Sequence, residues 1–192
     1  MISASKGTRI VKSLQRKRLI EVVEINLGGK GGNTKFLVLT DKGFEVLGMS
    51  PKHFHCRGGG FEHYLWQYKL AEHFKVLRKD WRINIEHQIM NKFIDLTIET
   101  QGKLIAIEVA LTSVNELINI EKDLEAGCDY IIIGCKDNKV LEEIKQIHDN
   151  LDESKRSRVG ICLLHKLLRS NSISEVIDLE TLHSTENLNE GR

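Results

Sequence analysis

FIDLTIETQGKLIAIEVALT, residues 93–112, holds two runs rich in β-branched residues, 93–100 and 103–111, joined by Gln101-Gly102. Gly102 supplies the positive φ that a tight turn demands, so the stretch predicts a β-hairpin. Each run carries one carboxylate: Asp95 lies between Ile94 and Leu96, and Glu108 between Ile107 and Val109. A charge among apolar neighbours is costly unless a cation or hydrogen bonds compensate it. Pairing across the turn brings the two acids together, and two facing carboxylates point to a divalent cation.

The flanks of the hairpin read as an alternation of helices and strands. Upstream, 61–77 is a helix with Phe61, Leu65, Tyr68, Ala71 and Val76 at helical spacing and Trp66, Leu70 and Phe74 widening the apolar face. Residues 81–89 alternate as a strand, with Ile83, Ile85 and His87 on one side and Asn84, Glu86 and Gln88 on the other. Downstream, 113–126 predicts a helix whose periodicity is set by Val114, Leu117, Ile118, Glu121 and Leu124, with Gly127 as its stop. Residues 130–133 form a wholly apolar run, as a buried parallel strand would. A helix over 138–148, a charged loop over 149–158, a strand over 159–164 and a short helix over 174–182 complete the reading, and the tail from Ser184 has little to bury.

The N-terminal segment is organised differently. Residues 5–18 predict a helix with Ile10, Val11 and Leu14 on one face and Arg9, Lys12, Ser13 and Arg16 on the other. A strand over 19–25, the glycine-rich loop LGGKGGN with Lys30 at its tip, a strand over 34–40 and a short helix begun by Asp41 follow. Residues 1–50 contain nine Lys or Arg against four Asp or Glu, whereas 51–192 carries four more acids than bases. A basic module thus precedes a mildly acidic one. The only proline, Pro51, and the run Gly58-Gly59-Gly60 mark a linker over 51–60, which leaves domains at 1–50 and 61–183 and a tail at 184–192.

The hairpin acids resemble the active-site pair of the PD-(D/E)xK superfamily, the restriction-endonuclease-like fold. Asp95 matches the first acid and Glu108 the second, while Ala110 stands where the motif has lysine. GGFEHYLWQ (59–67), IAIEVALTS (105–113) and NIEKDLEAGCDYIII (119–133) are similar to a nuclease-like domain found behind a winged helix, sometimes at the C-terminus of DNA-translocating ATPases. The resemblance implies an α/β fold with a mixed sheet flanked by helices. The N-terminal segment, ending in Leu39-Thr40-Asp41-Lys42-Gly43, resembles the second half of a winged helix; either the N-terminus is cropped from a longer protein, or the half-module completes itself by packing on the second domain or on another subunit.

What these likenesses imply is a DNA-binding protein. The basic helix (Arg9, Lys12, Arg16, Lys17) would enter the major groove and Lys30 on the wing would touch phosphate. Asp95 and Glu108 would hold Mg²⁺ or Mn²⁺, with Glu62 or Glu86 as a further acid. Glu62 has an equal claim to complementing its helix N-terminus, and His63 reads as a packed or capping residue. With Ala110 in the lysine position, cleavage is expected to be weak or lost unless Lys69, Lys92 or Lys122 supplies the ammonium. Gln67 or Gln88 is a candidate for orienting water. Two other readings stand beside this one: a non-catalytic winged-helix regulator or DNA-targeting module of a larger machine, and a purely structural role in which Asp95 and Glu108 pair with Arg and Lys. The partners implied are DNA, an ATPase or other DNA-processing protein, and a second copy of the chain.

Composition excludes other classes. No apolar run of about 18 residues is present to span a bilayer, and no apolar stretch follows Met1, so a cytoplasmic location is expected. Cys128, Cys135 and Cys162 sit in or beside apolar runs and read as buried thiols, as does Cys56. His53, His55 and Cys56 are too few for a structural zinc site, which needs about four ligands.

Overall fold

A computed structural model describes residues 4–28, 32–50 and 60–171. Lys30, the His53-His55-Cys56 cluster, the helix expected over 174–182 and the tail lie outside the described residues. Two compact units divide the chain between His55 and Cys56.

The first unit runs α1 (Ala4–Arg16), β1 (Ile20–Ile25), β2 (Thr34–Leu39) and α2 (Asp41–Val46), with the two strands antiparallel from Ile20↔Leu39 to Ile25↔Thr34. Arg9, Lys12, Arg16 and Lys17 are exposed, and Ile10 is exposed too, so the apolar face of α1 is narrower than its sequence pattern. Thr40 caps α2 by accepting from Gly43 N at 3.1 Å while its hydroxyl donates to Arg18 O at 2.6 Å. Gly43 has a steric reason: a Cβ there would stand 2.1 Å from Leu19 O. Leu37, Val46, Leu47 and Met49 of this unit are exposed.

The second unit is built on a five-stranded mixed sheet in the order β3-β4-β5-β6-β7, from Arg82–Ile89, Lys92–Thr100, Lys103–Ala110, Tyr130–Cys135 and Val159–Leu163. The first three strands are antiparallel and the last two run parallel to β5. Helices α3 (Phe61–Leu77), α4 (Glu116–Glu125), α5 (Asn138–Asp149), α6 (Glu153–Arg156) and α7 (Leu164–Leu167) flank it. The chain is therefore α/β. Among the described residues no helix is long and apolar enough to cross a membrane.

The predicted hairpin forms with Thr100 opposite Lys103, and both turn residues are left-handed (Gln101 φ 47, Gly102 φ 73), the signature of a type I′ turn. A second two-residue turn at Met90-Asn91 joins β3 to β4 with the same geometry (φ 47 and 66) and has no glycine to announce it. Gly127 ends α4 at φ 88 as expected. Its N–H donates to Leu124 O, and Cys128 N–H donates to Asp123 O, which makes a Schellman motif. The segment 149–158, expected as loop, contains α6, capped by Asp152.

Alternation along β5, β6 and β7 sends Ala106, Ala110, Ile131, Ile133 and Cys135 into a core with Ile120 of α4 and Val140 and Ile144 of α5. The opposite face is covered by Trp66, Leu70 and Phe74 of α3 and by α7; just past α7, Ser170 O lies 3.0 Å from His73 Nε2 of α3. Helix α4 presents a face other than the one its apolar periodicity favours, and α3 buries only part of its expected face. In α3, Tyr68 and Val76 are exposed, and the buried face is His63, Trp66, Gln67, Leu70, Ala71 and Phe74. In α4, Val114 just before it and Leu117 and Ile118 within it are exposed, while Glu116, Ile120 and Asp123 are buried. Both helices turn polar residues inward toward the same place. The three described cysteines are free and buried, and burial pushes each thiol up to about 12.

Candidate active site

The β4–β5 ladder stops at Leu96↔Ile107, one residue short of pairing Asp95 with Glu108. From there β5 stays with β6 while β4 stays with β3, and the two strands diverge. Divergence leaves backbone groups that need partners. Side chains supply them: Asp95 Oδ2 accepts from Val109 N at 2.8 Å, and Lys122 Nζ donates to Phe93 O at 2.7 Å. A cleft of about 440 Å³ opens at this point, lined by His63, Asp95, Glu108, Glu116, Asn119 and Lys122 among others.

Asp95 faces α3, where His63 Nε2 lies 3.0 Å from Oδ2 and Gln67 Nε2 donates to Oδ1 at 3.0 Å. Burial opposes a charged His63, but the Asp95 hydrogen bond and charge, with Glu86 and Glu116, outweigh it and raise its pKa. Glu108 faces α4, where Lys122 Nζ lies 3.3 Å from Oε1 and 3.4 Å from Asp123 Oδ1. Burial above all, then the charges of Asp95 and Asp123, hold the Glu108 pKa well above the carboxylate range. Burial likewise lifts Glu116 to about 7 and Asp123 to about 6. For Lys122, burial works downward, yet Glu108 and Asp123 outweigh it and leave its pKa raised.

The residues proposed from sequence separate here. Asp95 and Glu108 come together; Glu62 and Glu86 do not line the cleft. Glu62 is ion-paired to Lys136 at 3.0 Å, across from the end of β6. Glu86 stands between Ile85↔Leu96 and His87↔Ile94, level with Asp95, in a left-handed conformation at φ 49. Of the three candidate lysines, Lys122 alone lines the cleft, while Lys92 pairs with Glu125. Gln67 is buried against Asp95, and Gln88 is exposed. Glu116, Asn119 and Asp123 escaped the sequence reading because the apolar residues of α4 pointed to another face. The one available signal was the spacing of Glu116, Ile120 and Asp123, which aligns them on a helix.

Position 110 is buried at 1% exposure in the apolar core. A lysine there would overpack the core and bury its ammonium, so Ala110→Lys is expected to lower stability by about 1–3 kcal/mol or more in urea unfolding; an unchanged midpoint would contradict this placement.

The donor set is one of hard oxygens, and Glu116 Oε2 is buried without a protein partner, which suits a hard divalent cation. Among the described residues no three His, Cys, Asp or Glu groups stand in ligating geometry; Lys122 meets Glu108, and His63, Gln67 and Val109 N–H meet Asp95. Comparison with protein-family models and with curated proteins finds no match.

Proposed function

We propose that this cleft is the active centre of a divalent-cation-dependent nuclease of the PD-(D/E)xK, restriction-endonuclease-like type, and that the basic N-terminal unit, read as half of a winged helix, delivers it to DNA. The observation that carries the reading is the meeting of Asp95, Glu108 and the Lys122 ammonium at the open end of the hairpin. The ammonium missing at position 110 comes from α4, 3.3 Å from Glu108.

Asp95, Glu108 and Glu116 would hold Mg²⁺ or Mn²⁺, which supplies phosphate polarisation and a more acidic water when bound. Lys122, anchored by Phe93 O and Asn119 Oδ1, places a fixed positive charge beside the acids, where it orients water and offsets charge developing on the phosphate. The test is cleavage of duplex DNA with and without Mn²⁺: the chain cuts with the cation, Asp95→Ala abolishes it, and cutting that survives this change would place the centre elsewhere.

One observation favours a second reading, a non-catalytic DNA-targeting module of a larger machine. The acids are already compensated from within the chain, Glu108 by Lys122 and Asp95 by His63 and Gln67. Calorimetry separates the two, since DNA binding without Mn²⁺ binding supports only the second.

Under either reading DNA affinity resides mainly in the first unit. Arg9, Lys12 and Arg16 are exposed along α1, whose first turn has no acid. Replacing all three with Ala is expected to weaken duplex binding and to reduce the slope of log affinity against log salt by about 2.7, from three lost phosphate contacts at roughly 0.9 each. Unchanged binding at low salt would remove α1 from the interface.

A further inference from the structure

We propose that His63 and Gln67 are the positioning pair of this cleft, holding both carboxylate oxygens of Asp95 in the orientation that cation binding requires. The inference rests on the cleft being the active centre. The two residues stand four apart on α3, so they share one face of the helix. From that face His63 Nε2 meets Oδ2 and Gln67 Nε2 meets Oδ1, each at 3.0 Å, while Val109 N–H meets Oδ2 from β5 at 2.8 Å. The terminal torsion of an aspartate is broad and roughly two-fold. Donors on two separate elements confine it, and the one lone pair left over, on Oδ1, then faces a defined direction.

The pair is poorly explained as core. His63 is 8% exposed and Gln67 0%, and His63 Nδ1 and Gln67 Oε1 are buried with no hydrogen-bond partner. An unsatisfied buried polar atom destabilises, and an apolar side chain of like shape would not carry that cost. Level with Asp95 on β3, Glu86 holds a left-handed φ of 49 that L side chains rarely adopt. Two residues with unsatisfied atoms converge on one carboxylate, and a strained backbone stands level with it on the neighbouring strand, as in sites that trade stability for geometry.

The experiment compares the full chain with Gln67→Met, His63→Leu and His63→Gln in thermal melting, Mn²⁺ calorimetry and single-turnover DNA cleavage. Gln67→Met and His63→Leu are expected to melt close to the wild type, because the unsatisfied atom each removes offsets the donor Asp95 loses, yet bind Mn²⁺ about 10- to 100-fold more weakly, with cleavage falling in step and DNA affinity unchanged. His63→Gln, whose amide nitrogen reaches the place of Nε2, recovers most of the cation affinity. Variants with wild-type Mn²⁺ affinity would show that Asp95 is held without the pair. Variants that lose stability and cation affinity together, with no recovery in His63→Gln, would show a packing role only; either result overturns the proposal. A wild type that binds no Mn²⁺ would sink the reading of the cleft itself and this inference with it.

Discussion

Lys122→Met is expected to reduce Mn²⁺-dependent DNA cleavage by about a hundred- to a thousand-fold, the usual cost of removing one donor aimed at developing charge. Methionine keeps the length and apolar stem of the side chain, so the loss reports the ammonium. The change also leaves Glu108 and Asp123, 5% and 0% exposed, without their shared cation. Stripping one partner from buried charges is destabilising, but these acids have raised pKa values and escape by taking up protons. The variant should therefore be clearly less stable than the wild type at pH 8 and close to it at pH 5, as measured by urea unfolding. A cleavage rate within a few-fold of the wild type would move the ammonium to another lysine.

The second large effect is a fall in stability with rising pH, to which Glu116 contributes beside Glu108, whose pKa burial holds well above the carboxylate range. Its folded-state pKa of about 7 lies above the ordinary 4.5, so between these values the folded protein binds the proton and the unfolded chain does not. That contribution is fully present below about pH 4.5 and is lost as pH rises through 7. Its size is on the order of 3 kcal/mol. Asp123, raised from 3.8 to about 6, acts with the same sign over a lower window. Glu116→Gln keeps the shape and the acceptor for Asn119 while removing the ionisation. The variant is expected to lose the Glu116 share of the slope between pH 5 and 8, leaving that of Glu108, and to be more stable than the wild type at pH 8. Mn²⁺ should restore wild-type stability at pH 8 and do less for the variant. Stability that stays level from pH 5 to 8 would show that Glu116 ionises without penalty.

The two helices flanking the cleft show where the sequence misleads. Val114, Leu117 and Ile118 recur at helical spacing and are exposed, whereas α4 buries Glu116, Ile120 and Asp123. Periodicity assumes that the apolar stripe faces inward, and a helix that brings charge to a site breaks that assumption. On α3, apolar residues lie on both sides, and His63 and Gln67 travel inward with Trp66 and Leu70. The Met90-Asn91 turn escaped for a different reason: Asn91 tolerates a left-handed φ, but nothing in Met90 signals one, and the pairing of β3 with β4 imposes it.

By itself the sequence determined most of the elements, though not the short helices α6 and α7: the hairpin, the glycine-stopped helix after it, the apolar strands and the separate basic module. Those follow from turn chemistry, side-chain alternation and caps, all of which act between residues close along the chain. It also marked Asp95 and Glu108, because isolated acids inside β-branched runs stand out locally. Only the tertiary structure decided what surrounds them. Lys122, Glu116, His63 and Gln67 come from helices outside the hairpin and reach it because β4 and β5 diverge a residue early. The buried environment that holds these charges, and shifts their pKa values, exists only once those distant segments have packed.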